Sequence, residues 1–440
     1  MPPSPILSED DVERLVQEGG DALVSFLCMK AVPLNENPKS HHKWSYHDIL
    51  HLPESEQKLW FEACKKELDM LKEHKVYEIV DWPTNHNVIK NHWVFDVKSD
   101  SWKHVHLVAK GFSQTKGLDF DQIFSPVVCF ETVWCMLALA TLENWYISGL
   151  DVRSAYLYGK LDKEIYMEFP EGFHPPHLRG KVLRLLHALY GLKQAGLAWW
   201  TALNESMEEL GFERLKTDAG LFLYRKGEEI VLAIIYIDNA QFCGSSKALV
   251  KKNKAAFMEK CECCNLGETT ECLQMKIHRD GCWLAIDQCE YLEKVLECCR
   301  MINAKPAHTP LPEGYKPSTS TAPVNLELWM WFQTVIGSLL YLMLGTCPDI
   351  AYAVTFTFIL SNHFRLQTMR RFSMRTHLSH ALHIFTDMCL PHGKPCSIKL
   401  NLILDSSFLC CAWLCCHTHV HHTCYASLPF CHCHAVASCP

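Results

Sequence analysis

Ile230-Val231-Leu232-Ala233-Ile234-Ile235-Tyr236-Ile237-Asp238-Asn239-Ala240-Gln241-Phe242-Cys243-Gly244 is the stretch whose pattern decides the fold. Its first eight residues are apolar and five of them are β-branched, which at that length describes a fully buried strand. Asp238-Asn239 interrupts with two polar turn formers, and residues 240–243 resume the apolar run before Gly244. Strand, two-residue turn, strand predicts a β-hairpin. A carboxylate at such a tip projects from a rigid scaffold into whatever cleft the hairpin faces. The same residues also describe an ordinary hairpin with a polar turn. Upstream, residues 145–150 read as a strand that stops at Asp151, a second carboxylate directly after a strand. Two strand-end carboxylates that meet in space would hold a divalent cation such as Mg²⁺, which takes oxygen ligands. Spacing along the chain leaves open whether they meet.

Working outward, residues 1–54 are interrupted by Pro and Asn and are expected to be a leader or linker. Trp60, Cys64, Leu68 and Leu71 give residues 55–74 one apolar helical face. Residues 88–97 alternate enough for a strand, 107–112 form a short apolar run, and 131–142 read as a helix. A further helix is expected over 195–210, with Leu197, Trp200, Leu203, Met207 and Leu210 on one side and Gly211 as its stop.

At 440 residues the chain has room for two or three domains. Hydrophobic residues at 48% and charged residues at 21% exclude wholesale disorder. A formal net charge of −7 gives no overall pull toward polyanions, although local basic patches can exist beneath it. The longest apolar stretches, such as the 11 residues 350–360, fall short of the roughly 18 needed to span a bilayer. The N-terminus lacks the basic flank and apolar core of a secretory signal. The 24 cysteines are therefore expected to be reduced, in cytoplasm or nucleus, with no membrane partner.

The body between residues 55 and 360 resembles the reverse transcriptase of copia-type LTR retrotransposons. The resemblance is carried by a dozen ordered blocks. Among them are Trp93-Val94-Phe95, Leu107-Val108-Ala109-Lys110-Gly111-Phe112 and Phe124-Ser125-Pro126-Val127-Val128. Leu150-Asp151-Val152-Arg153-Ser154-Ala155-Tyr156 and Ala188-Leu189-Tyr190-Gly191-Leu192-Lys193-Gln194-Ala195 follow. Tyr236-Ile237-Asp238 opens a tyrosine–x–Asp–Asp box, and Ile336-Gly337-Ser338-Leu339-Leu340-Tyr341 matches a connection segment. The resemblance implies an α+β, right-hand polymerase with fingers, a ferredoxin-like palm and a thumb. It implies RNA-directed DNA polymerisation on an RNA or DNA template-primer with deoxynucleotides. Asp151 and Asp238, with the carbonyl of Val152, would hold two Mg²⁺ ions, and Asn239 would stand in the catalytic box. Lys110, His106, Tyr156 and Gln194 fall at nucleotide-binding positions, with Tyr156 blocking the sugar 2′-oxygen. The implied division is 55–300 for the polymerase, 301–363 for the connection segment and 364–440 for an unrelated tail.

Several positions depart from the family pattern. The second aspartate of the box is Asn239, which removes one negative charge from a site meant for two dications. The family's Lys-Ala-Arg appears as His104-Val105-His106, so a largely neutral imidazole replaces a guanidinium fork suited to a triphosphate. Ala195-Gly196-Leu197 stands for Ala-Pro-Arg. Together these imply a degenerate polymerase with little activity. The alternative is a non-catalytic remnant that at most binds nucleic acid.

From Phe364 onward the only acids are Asp387 and Asp405, while residues 389–440 hold ten cysteines. This irregular Cys/His-rich tail is expected to be disordered. A zinc-binding interaction module is the remote reading, because the candidate ligands are crowded rather than paired across a loop. The Cys261, Cys263, Cys264 cluster is read as carrying no metal. Lys251, Lys252 and Lys254 form a basic stretch after the hairpin, either a solvated helix face or a contact to template–primer phosphates.

Overall fold

A computed structural model describes residues 44–97, 103–281, 283–299, 301–304, 326–355, 401–403 and 434–438. The elements run α1 (Tyr46–Leu50), α2 (Glu54–Glu73), β1 (Tyr77–Asp81), β2 (Val88–Ile89), β3 (Asn91–Val97), β4 (Lys103–Ala109) and α3 (Phe130–Leu142). Next come β5 (Tyr146–Val152), β6 (Lys160–Met167), β7 (Lys181–His187), α4 (Ala195–Glu209), β8 (Glu213–Arg214), β9 (Leu221–Lys226), β10 (Glu229–Tyr236) and β11 (Asn239–Gly244). The remainder are α5 (Lys247–Lys260), β12 (Cys263–Glu268), β13 (Glu271–Cys272), β14 (Met275–Asp280), β15 (Trp283–Asp287), α6 (Cys289–Cys298), α7 (Leu326–Gly345), β16 (Asn401–Ile403) and β17 (His434–Ser438). The fold is α+β, as expected.

The central feature is a six-stranded sheet in the order β12-β5-β11-β10-β9-β8. One face carries Leu150, Ile235, Ala240 and Phe242 against Trp199, Leu203 and Met207 of α4 and Val250 and Phe257 of α5. The other carries Ile147, Leu232, Ile234 and Cys243 against Val133, Met136 and Leu137 of α3 and Met275 and Ile277 of β14. Near-continuous apolar runs in β10 and β11 follow from this, because a strand covered on both faces has no side that tolerates unpaired polar groups. A separate core joins Trp60, Cys64, Leu68 and Leu71 of α2 to the β3–β4 ribbon and to β6 and β7.

Several expectations are corrected. The expected leader is folded from residue 44. Ser45 and Asp48 form a capping box that starts α1, and Ile49 buries itself in the α2 core. Residues 88–97 make two strands in two different sheets, breaking at Lys90. On α4 the buried stripe is Ala195, Trp199, Leu203 and Met207, whose four-residue spacing turns Trp199 inward and leaves Leu197, Trp200 and Leu210 half-buried. In the tail, β17 pairs with β15, from Trp283 opposite Ser438 to Asp287 opposite His434. Those five residues form a strand, whereas the Cys415–Cys433 ligand candidates lie outside the described residues. Helix α7 packs onto the body: Tyr341 donates to the Leu273 carbonyl, and Trp134 Nε1 donates to the Leu344 carbonyl at 3.3 Å. Among the described residues no helix is long and apolar enough to cross a membrane.

Candidate active site

The β10–β11 hairpin exists, but its turn sits one residue earlier than the polar pair suggests. Tyr236 pairs directly with Asn239, leaving Ile237-Asp238 as the two turn residues. Ile237 takes φ = +58°. A β-branched side chain is strained there, at a cost of order 1–3 kcal/mol, and such strain persists only where the surroundings enforce it. Here the enforcement is visible: Trp199 of α4 donates its indole N–H to the Ile237 carbonyl at 2.8 Å.

The strand pairing brings the candidate residues together. In β5 and β11, Asn239 stands directly opposite Asp151, so the two side chains share a face of the sheet. Asp151 lies inside β5, which runs on to Val152, rather than after the strand. Asp238 joins them through the backbone, its carbonyl accepting the Val152 N–H at 2.7 Å. Burial raises the Asp238 carboxyl above its usual range, and the negative charge of Asp151 adds to the rise. A pair of carboxylates that resist ionising together is a set whose repulsion a dication relieves. With the carbonyl of Val152, the last residue of β5, the candidate donors are hard oxygens of the kind Mg²⁺ takes. Among the described residues no group of three or more His, Cys, Asp or Glu side chains is placed to hold a metal ion.

Beside the carboxylates runs a ladder of rings. Tyr156, on the turn after β5, meets Tyr190 edge-on at 5.2 Å, and Tyr190 meets His106 of β4 at 5.2 Å. Burial raises the Tyr156 hydroxyl, with Asp238 adding to it. Tyr190 is pushed up to about 12 by burial first and then by Glu67, Asp238 and Tyr156. Glu67, on α2 and only 6% exposed, accepts the Leu107 N–H at 3.2 Å, and its Oε1 lies 3.5 Å from His106 Nδ1. Lys110 ends the same ribbon, its N–H bonded to the Lys90 carbonyl at 2.7 Å.

Other expected residues go elsewhere. Gln194 is buried with both ends of its amide engaged: Nε2 donates to the Asp119 carbonyl at 2.9 Å and Oε1 accepts from Gln114 at 3.0 Å. Lys254 is 4% exposed and donates to Ser148 Oγ at 2.5 Å and Asn265 Oδ1 at 2.7 Å. Such a lysine cannot reach a phosphate, which corrects its reading as part of a basic surface. Lys251 and Lys252 are exposed, but α5 covers the sheet face opposite to the one carrying Asp151 and Asn239.

Reading the sequence missed Glu67, Tyr190, Trp199 and Gln241. Two of these left a trace: Glu67 is an acid adjoining an apolar helical stripe, and Gln241 is a lone amide inside an apolar strand.

Residues 74–313 match the family model described as reverse transcriptase (RNA-dependent DNA polymerase). The chain is 35% identical over 326 residues to the retrovirus-related Pol polyprotein from transposon TNT 1-94 of Nicotiana tabacum, covering 70% of this chain and 24% of that protein. It is 31% identical over 301 residues to the Pol polyprotein from transposon RE1 of Arabidopsis thaliana, covering 67% and 20%. Against the transposon Ty1-DR4 Gag-Pol polyprotein of Saccharomyces cerevisiae it is 28% identical over 233 residues, covering 50% and 14%. The chain thus spans about a quarter or less of the length of these curated relatives.

Proposed function

The chain belongs to the copia-type reverse transcriptase family, and on that premise we propose that it is the polymerase core of a retrotransposon Pol polyprotein. In this reading it carries out RNA-directed DNA synthesis with low activity. The six-stranded sheet is the palm, the α2 body with its β3–β4 ribbon forms the fingers, and the segment beyond β12 forms the thumb and connection. The proposed division is 44–300, 301–363 and 364–440, the first part being extended from residue 55 to take in α1. The template-primer lies against the face that carries Asp151.

The observation that carries this reading is the register that sets Asn239 against Asp151 and bonds Asp238 to Val152. It supports a site in which Asp151 and Asp238, from segments far apart in sequence, lie near each other, and to which Val152 would add its carbonyl. Those groups would hold Mg²⁺, which when bound supplies the charge that activates a primer 3′-hydroxyl and offsets a pyrophosphate leaving group. The protein's own residues orient the nucleotide. Tyr156, backed by Tyr190, presents a ring that excludes a 2′-hydroxyl. Lys110 offers a cation to the triphosphate, and His106 offers only a half-exposed imidazole. Gln194 shapes the pocket from behind, through Gln114 and Asp119, without touching nucleotide.

A second reading, a remnant that binds nucleic acid without polymerising, is favoured by Asn239 and His106. Primer extension on an RNA template with Mg²⁺ or Mn²⁺, comparing this chain with Asn239→Asp, separates the two. Extension by either protein supports the polymerase reading. Extension by neither, with template-primer still bound, favours the remnant.

A further inference from the structure

Gln241 stands two residues beyond Asn239 on β11, 1% exposed, in a run otherwise made of Ala240, Phe242 and Cys243. A buried amide is kept only where its polar atoms are matched. Here they are. Gln241 lies opposite Gly149 of β5, and a Cβ on that glycine would come within 3.2 Å of both Gln241 amide heavy atoms. The missing side chain is the space the amide fills. Thr269 donates its hydroxyl to Gln241 Oε1 at 2.6 Å. Gln241 Nε2 donates to Asn239 Oδ1 at 2.9 Å and reaches the Glu271 carbonyl at 3.4 Å.

We propose that Gln241 is the positioning residue for side chain 239. Anchored by Thr269 and seated on Gly149, it presents an N–H to the side-chain oxygen at position 239, on the face shared with Asp151. An N–H donor serves an amide oxygen but serves a carboxylate better, since hydrogen bonds to charged acceptors are shorter and stronger. The support for a second hairpin carboxylate therefore stands complete around Asn239, and one substitution restores the group without repacking its neighbours. The inference rests on the metal-binding reading of the site given above.

The test uses the full chain with Mn²⁺ as the probe, its free concentration followed by electron paramagnetic resonance. Asn239→Asp is expected to bind Mn²⁺ more tightly than the parent. Adding Gln241→Met, a near-isosteric change without the amide, is expected to weaken that binding about 10–100-fold, as loss of a group that orients a ligand does. Equal Mn²⁺ affinity with and without Gln241→Met overturns the role. If Asn239→Asp binds no Mn²⁺, the metal reading itself fails. The coupling is then read from urea unfolding, in a cycle of Gln241→Met and Asn239→Ala. Non-additive unfolding energies support the Gln241–Asn239 contact, and additive ones overturn it.

Discussion

Val152 donates its main-chain N–H to the main-chain carbonyl of Asp238 at 2.7 Å, so the residue beside one carboxylate is bonded to the residue that carries the other. The distance between strand β5 and the hairpin turn is thus set by backbone, and side-chain substitutions at 151 or 238 leave it in place. That separation of geometry from chemistry makes the site testable by stability as well as by activity.

Asp238→Asn should abolish extension while raising the melting temperature at neutral pH without metal. Burial and Asp151 raise the Asp238 pKa in the fold. A carboxyl raised in the folded state binds more protons there than in the unfolded chain, so its contribution to stability falls as pH rises through the window between the two pKa values. Above the folded-state pKa the cost is fully present, and the amide removes it. Differential scanning fluorimetry with and without Mn²⁺ is the check: a variant that melts below its parent in the absence of metal contradicts the prediction.

Lys254 gives a pH dependence of the opposite sign. Burial lowers its ammonium to about 8, partly offset by the nearby Cys263. A free lysine titrates near 10.4, so between about pH 8 and 10.4 the unfolded chain binds more protons and stability rises with pH. Below pH 8 both states are charged and the burial cost is fully present. Urea unfolding at pH 7.5 and pH 10 should show this gain in the parent and its absence in Lys254→Met.

At the turn, Ile237→Gly should change stability by less than about 1 kcal/mol, because relief of the φ = +58° strain offsets lost contacts and added chain entropy. Ile235→Gly, two residues away in the buried strand, should cost about 3–5 kcal/mol. Equal costs from chemical denaturation would show that the turn stores no strain.

Activity should return in steps. Loss of one preorganised charged group costs about 10²–10³ in rate, and two such positions are altered, Asn239 and His106. The double change Asn239→Asp with His106→Arg should extend a primer on RNA faster than either single change. The arginine also meets Glu67, whose carboxylate already lies 3.5 Å from His106 Nδ1. Parent protein as fast as the double variant would show that the present residues compensate one another.

The architecture near the carboxylates was legible because buried strands announce themselves. Residues 230–244 read as a hairpin and residues 145–150 as a strand, although the strand's run through Asp151 to Val152 was not read. The one-residue shift of the turn was not legible. Polarity pointed to Asp238-Asn239, whereas pairing Tyr236 with Asn239 forces Ile237 into a conformation its side chain resists, held there by a tryptophan 38 positions away. Lys254 misled for a related reason. A lysine in a run of lysines reads as solvated, and only its hydrogen bonds to Ser148 and Asn265, on two other strands, turn it inward. Gln194 was found by resemblance, but its partners Gln114 and Asp119 are about 75–80 residues upstream and no local pattern links them. What sequence could not supply in each case was a long-range partner.

The order β12-β5-β11 sets a condition on synthesis. Strand β5 leaves the ribosome with neither neighbour made, since both partners lie roughly 90–120 residues downstream. At about 5–20 residues per second the wait is on the order of 5–20 s. During it, Ile147, Leu150 and Val152 have no strand on either edge. Until residue 264 has emerged, those side chains lack the strand neighbours that flank them in the fold. Only then can the carboxylate at 151 acquire its surroundings.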